Sequence, residues 1–330
     1  MGSTRLRPLN WQHRQTPLPL PRVHRAPSLL PMMKPLLLLA LTSLAAPAAA
    51  QTASISADSA VRRSTSPPDS AAPKPLSVYG FADGYYGHDF TGSSRRRPDF
   101  LYSHARAGQP ALNNALLGLR YQTGKVRGTL ALHAGRYVQA NYAAEPRVLR
   151  HMYEAYAGVR PFRGAWLDVG IFSSHLGFES AISKDNWTLT RAVMTENSPY
   201  YEAGARLSYE ASARLTVTAL VLNGWQNLRD NNRAKALGTQ LQWKPTGKLL
   251  LNSSTFYGNE QPRDSVRRRR FFHNLYLTYA ATEKLSLAAV ADAGWQQAPG
   301  RRPDSWQAAM LLARYQLHPR WTAAARYELY

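Results

Sequence analysis

The sequence predicts an all-β chain, a transmembrane antiparallel up-and-down β-barrel with thirteen strands legible between residues 76 and 330. Three observations predict it. First, Tyr121, Tyr209, Trp243, Tyr279 and Tyr315 each stand two or three residues before a short polar turn, at Gly124-Lys125, Ala211-Ser212, Thr246-Gly247-Lys248, Thr282-Glu283-Lys284 and His318-Pro319-Arg320. Aromatic rings held at one height above tight turns form the girdle at a membrane-water boundary. Second, apolar and polar residues alternate with period two. Third, long connections alternate with short turns, which a soluble sandwich has no reason to do.

Strands are expected near residues 76–88, 112–123, 126–138, 151–162, 165–172, 199–210, 213–224, 235–244, 248–257, 271–280, 284–294, 305–316 and 319–330. In the segment 200–209, Tyr201, Ala203, Ala205, Leu207 and Tyr209 face one way, and Tyr200, Glu202, Gly204, Arg206 and Ser208 face the other. The same split places Leu167, Val169 and Ile171 opposite Asp168 and Gly170, and Trp321, Ala323, Ala325, Tyr327 and Leu329 opposite Arg320, Thr322, Arg326 and Glu328. An apolar outer row with a charged inner row describes the wall of a water-filled barrel. An odd count leaves the last strand ending on the outer side, with Tyr330 on the lumen row. Unless one strand is miscounted, this reading expects at least one more loop and strand beyond Tyr330.

The N-terminal region carries an address. Met33-Lys34 is followed by a short apolar core from Pro35 to Leu44 and by small residues at Ala48 and Ala50, so export with cleavage near Ala50 is expected. Residues 1–32 are rich in Arg and Pro and contain no acid. They read either as sequence upstream of a true start at Met32 or Met33, or as a long basic leader. Residues 1–50 thus form the extension and signal, 51–75 a Ser/Ala/Pro-rich linker, and 76–330 the barrel.

Composition excludes several classes. A hydrophobic fraction of 44% without an apolar run of about 20 residues beyond the N-terminal region excludes a helical membrane protein. With no Cys, neither a disulfide framework nor a thiolate metal site can form. The net charge of +21 becomes +15 once residues 1–50 are removed, because they hold six bases and no acid. The basic clusters Arg95-Arg96-Arg97, Arg267 to Arg270 and Arg301-Arg302 fall in long connections. They lack the aromatic platforms and motifs of a nucleic-acid site. On the outer face their nearest anionic partner is the phosphate of lipopolysaccharide, and the competing reading is that they solvate the loops.

The run Leu167-Asp168-Val169-Gly170-Ile171-Phe172-Ser173-Ser174-His175-Leu176-Gly177-Phe178-Glu179-Ser180-Ala181, then Asp185-Asn186-Trp187-Thr188-Leu189-Thr190-Arg191, Glu196-Asn197-Ser198-Pro199-Tyr200-Tyr201 and Val221-Leu222-Asn223-Gly224-Trp225-Gln226, resembles the OmpL-like outer-membrane β-barrel porin family. Weaker resemblance runs from Leu76 to Tyr330. It implies a pore-forming barrel of the bacterial outer membrane without catalytic residues. Members of the family look longer at the C-terminus than this sequence does.

Within that frame, the connection 173–198 is the candidate functional element. It mixes His175, Glu179, Lys184, Asp185, Asn186, Arg191 and Glu196 with Trp187, Leu189 and Met194, and is too apolar to remain in bulk water. It is expected to fold inward and narrow the lumen; packing on the outer rim is the alternative. Asp83, Glu154, Asp168, Glu202 and Asp292 are expected as inward wall charges paired with Arg127, Arg160 and Arg206. A basic wall favours anions, whereas Glu179, Asp185 and Glu196 pull the other way.

The sequence points to no cofactor. The scattered His residues give no metal-ligand spacing. Ser174, His175 and Glu179 are the residue types of a hydrolase triad, but no strand-to-helix nucleophile elbow precedes them. A channel for small polar solutes is therefore the leading expectation. An outer-membrane barrel acting as a surface lipase or protease, or as an adhesin, is the alternative.

Overall fold

The computed structural model describes residues 75–90 and 101–330. The expected signal, the linker up to residue 74 and the Arg95-Arg96-Arg97 cluster lie outside the described residues. Thirteen strands form one antiparallel sheet in which each strand pairs with its neighbours in sequence. They are β1 (Leu76–Tyr86), β2 (Pro110–Gln122), β3 (Val126–Ala134), β4 (Met152–Val159), β5 (Ala165–Ser173), β6 (Tyr201–Ser212), β7 (Leu215–Leu222), β8 (Ala236–Thr246), β9 (Leu249–Asn259), β10 (Arg269–Ala280), β11 (Leu285–Gln296), β12 (Asp304–His318) and β13 (Trp321–Leu329). Long and short connections alternate throughout, as expected. Among the described residues no ladder joins β13 to β1.

Two expected strands end three or four residues early. The third stops at Ala134 because Gly135, at φ 140°, turns the chain into the helix α1 (Arg136–Asn141). A side chain there would meet the Asn113 carbonyl at 2.3 Å, so the close approach of the two backbones requires glycine. The fourth stops at Val159 ahead of Arg160-Pro161, where proline has no N–H to give the ladder.

The sheet is inside out relative to a soluble protein. Leu117, Leu119, Leu237, Leu241, Leu275, Leu277 and Leu311 are exposed on one face, while Asn252, Ser254, Asn274, Thr278, Gln240 and Gln242 are buried on the other. Such an apolar outer face is stable only against lipid. The girdle is regular: Tyr121, Tyr209, Trp243, Tyr279 and Tyr315 are all 41–45% exposed. Buried apolar clusters lie between the inner wall and the connections folded against it.

Candidate functional site

The connection between β5 and β6 folds onto the inner wall, and its first anchor is His175. The His175 Nδ1 faces both carboxylate oxygens of Glu202 on β6, at 2.9 and 3.0 Å, and its Nε2 donates to the Thr255 carbonyl of β9 at 2.8 Å. With acceptors at both ring nitrogens the imidazole is held as the cation. Burial alone would lower its pKa, but the Glu202 carboxylate and the Thr255 carbonyl hold it above the ordinary histidine value. The ring fits because Gly238 has no side chain; a Cβ there would lie 2.8 Å from it. Gln240 Nε2 donates to the His175 carbonyl at 3.0 Å and fixes the backbone.

The connection carries its own internal frame. Arg191 donates to the carbonyls of Ser180, Leu189 and Ala181 at 2.8–3.1 Å and to Ser183 Oγ at 3.1 Å. Asn186 accepts from the Ser180 N–H at 2.7 Å and donates to the Ser180 carbonyl at 2.8 Å. The Glu179 carboxylate accepts from the Ala192 N–H at 2.7 Å. These bonds satisfy backbone groups that no strand ladder reaches.

Beyond this frame the connection spans from one end of the sheet to the other. On the β13 side, Arg326 pairs with Glu179 at 3.3 Å and donates to Thr188 Oγ1 at 2.8 Å, while the Val193 N–H donates to Glu328 at 2.9 Å. On the β1 side, Ser183 donates to Asp83. Between these ends, Met194 of the short helix α2 (Val193–Glu196) and Ala192 at its start pack with Leu250, Tyr276, Ala288, Val290, Met310 and Leu312 of β9–β12, against which Phe178 and Trp187 also lie. The Phe178 ring meets Tyr276 edge-on at 5.3 Å.

Opposite that apolar patch, the inner face of β3–β6 is charged. Asp168, wholly buried, receives a two-pronged hydrogen bond from Arg127 at 2.7 and 2.6 Å and two further ones from Arg206 at 2.9 and 3.2 Å. Arg127 reaches it across β4 only because Gly158 intervenes; a Cβ there would lie 2.2 Å from the Asp168 carboxylate. Together the wall and the connection enclose a cavity of about 340 Å³, lined among others by Arg120, Arg127, Glu154, Arg206, Gln240 and Tyr276.

Of the residues expected at the passage, His175, Glu179, Lys184 and Asp185 line this cavity with Arg127, Glu154 and Arg206. Arg191 and Glu196 do not face an open lumen: they are 2% and 5% exposed. Arg191 is the internal staple, and Glu196 accepts from the Ser103 N–H at 3.2 Å. Burial pushes the Glu196 carboxyl up to about 7, against the Ser103 N–H and the Arg191 charge. Asn186 also belongs to the frame. Among the expected wall pairs only Asp168 meets arginine. Asp83 is held by His104 and Asn113 at 3.0 and 2.8 Å, Glu154 by the Ser173 hydroxyl at 2.9 Å, and Asp292 by Asn274 at 2.6 Å. Arg160 has no carboxylate partner among the described residues and lies over the Trp166 ring, 4.6 Å from its centroid. Ser174 and His175 both turn to Glu202, and Glu179 turns away to Arg326, so the three triad residue types form no relay. Sequence reasoning missed Arg120, whose place in the alternating row Gly118, Arg120, Gln122 was the signal.

The family model described as "Putative beta-barrel porin-2, OmpL-like" matches residues 75–330. A search of curated proteins returned no match. Among solved structures, outer-membrane expressed OmpT of Vibrio cholerae is 11% identical, covering 78% of this chain and 88% of that one, with a TM-score of 0.38. The outer membrane channel DcaP of Acinetobacter baumannii is 10% identical, covering 77% and 90%, with a TM-score of 0.39. OpdQ of Pseudomonas aeruginosa is 14% identical, covering 77% and 64%, with a TM-score of 0.39. Structural likeness of this degree carries no argument about function; the family match does.

Proposed function

The chain belongs to the OmpL-like β-barrel porin-2 family, and from that premise we propose that it is an outer-membrane channel for passive diffusion of small polar solutes, narrowed by the connection 173–198. One observation carries the reading. A single connection, leaving the sheet between β5 and β6, is tied to the inner side of β13 through Arg326 and of β1 through Asp83, which supports a course across the lumen rather than along the rim. What it leaves free is a polar cavity of about 340 Å³, a size suited to small solutes. Transport then follows the solute's own gradient, and the reading assigns no catalytic residue and no cofactor.

Export by the N-terminal signal belongs to this proposal, with a mature chain beginning at Gln51; mass spectrometry of outer membranes finding residues 1–50 retained would contradict it. So does contact with lipopolysaccharide. Arg267 and Arg269 are exposed, and Arg269 lies over the Tyr257 ring at 6.0 Å. Arg270 does not share that role, being buried against Gln296 at 2.9 Å.

The test is planar-bilayer recording with the full-length protein. Discrete conductance steps are expected. A folded, heat-modifiable barrel that does not conduct but hydrolyses lipid would transfer the assignment to a surface enzyme.

A further inference from the structure

The acids around the passage are already engaged by partners. Glu202 is neutralised by His175, Glu179 by Arg326 and the Ala192 N–H, and Asp168 by Arg127 and Arg206 together. Glu154 bonds to the Ser173 hydroxyl and, though within electrostatic reach of Arg120, forms no ion pair with it.

The bases are not matched in the same way. Asp168 offers one negative charge to two guanidiniums. Arg120 lies over the Tyr79 ring, 5.1 Å from its centroid, and Arg160 over Trp166, whose ring Arg127 also covers at 4.4 Å. Neither the Arg120 nor the Arg160 guanidinium has a hydrogen bond or ion pair among the described residues, and both residues are exposed. A guanidinium resting its face on an aromatic ring keeps its N–H edge directed outward, in the fork that matches a carboxylate or phosphate.

These residues are stacked along the pore axis. Arg127 pairs in register with Gln122, Arg120 pairs one inward step higher with Thr129, and the Arg160 N–H bonds to Lys125 beside the short turn. Arg120, Arg127 and Arg206 line the cavity together with Lys184 of the connection, and Arg160 stands beyond its lining, nearer the short-turn mouth.

We infer that this series is a binding track for small anions, in which Arg120 and Arg160 hold a carboxylate or phosphate group on its way past the connection. The inference rests on the channel reading and names its solute class. Low-dielectric walls focus the field of the unmatched charges, and charged side chains lining a constriction set the sign of the permeant ion. The cavity is at the small end of ligand sites, which favours a single small acid or phosphate ester over an oligomer.

The experiment is the reversal potential of the full-length protein in planar bilayers under a KCl gradient, followed by addition of acetate or inorganic phosphate. Chloride should permeate about threefold or more over potassium, with millimolar phosphate slowing the chloride current. The double variant Arg120→Gln, Arg160→Gln should bring the ratio near one and abolish the block, with heat-modifiability on gels reporting that it folds. Arg120→Lys, which keeps the charge but loses the fork, should retain the preference and weaken the block. Block by both acetate and phosphate marks general anion capture, and block by phosphate alone marks a phosphate track. A barrel that conducts but prefers cations, or a double variant with unaltered selectivity, overturns this inference and leaves the channel standing. A barrel that does not conduct overturns both.

Discussion

The inner wall has two sides with opposite chemistry. On β9–β12 a patch of Leu250, Tyr276, Ala288, Val290, Met310 and Leu312 is covered by Ala192 and Met194. On β3–β6 the inner face carries Arg127, Glu154, Asp168 and Arg206 and borders an open cavity. The difference explains where the connection rests. An apolar surface facing a water-filled lumen gains by being covered, whereas a charged wall would lose hydration under the same cover. The connection therefore lies against the apolar side, and the proposed channel would carry solute along the charged one.

Met194 is the point at which the covered side is most readily disturbed. A carboxylate in its place would be buried among those side chains at a cost of about 3 kcal/mol or more. Met194→Asp should detach the connection and raise single-channel conductance by roughly twofold, as expected when a constriction is removed. An unaltered conductance would mean that the apolar patch does not hold the connection.

Asp168→Asn attacks the other side. Removing the carboxylate leaves Arg127 and Arg206 confined without a counter-charge, which costs about 3 kcal/mol for a buried pair. The barrel should unfold at lower urea concentration and shift further towards anions. Unchanged stability would mean that the pair is solvated. Arg191→Ala comes next. It frees carbonyls of the connection at about 1–3 kcal/mol for each left unpaired. Proteolysis within 173–198 should quicken, while ion selectivity stays as it was; a selectivity change would put Arg191 back in the passage.

A smaller effect separates the docked connection from the wall by pH. Because the Glu196 carboxyl is raised to about 7 when buried, docking is favoured by a contribution fully present below the ordinary glutamate pKa and lost as pH rises through about 7. Conductance should therefore be higher and noisier at pH 8 than at pH 5.5, and Glu196→Gln should flatten the profile; a dependence that survives this substitution has another source. The least effect is expected from the double substitution Arg267→Ala, Arg269→Ala at the rim. It should reduce co-purifying lipopolysaccharide without altering conductance, and equal retention would show those arginines to be merely solvated.

What the sequence disclosed follows the range of the forces involved. The strands, the two faces and the girdle were readable because alternation and turn chemistry are local, and Tyr121 or Tyr315 can be placed by counting from the adjacent turn. The early end at Gly135 came from a specific backbone approach, whereas the one before Pro161 follows from the missing N–H of proline, which is itself local. The site was read more coarsely. That His175, Lys184 and Arg206 belong to one interior was visible in residue type, but the partner of His175 lies on β6 and β9, and Arg127 meets Asp168 only through the space left by Gly158. Arg191 looked like a lining charge because a buried staple and a pore residue have the same composition. Which wall the connection would cover depended on the summed apolarity of four strands, which no single segment displays.

The most direct test of the two-sided wall uses the absence of native cysteine. Single cysteines are introduced at Arg120, on the open side, and at Val290, beneath the connection, and each full-length channel is exposed to a charged thiol reagent during bilayer recording. The account predicts stepwise loss of current for Arg120→Cys and no reaction for Val290→Cys until Met194→Asp is added. Equal reactivity at the two sites, or reaction at Val290→Cys alone, would contradict it.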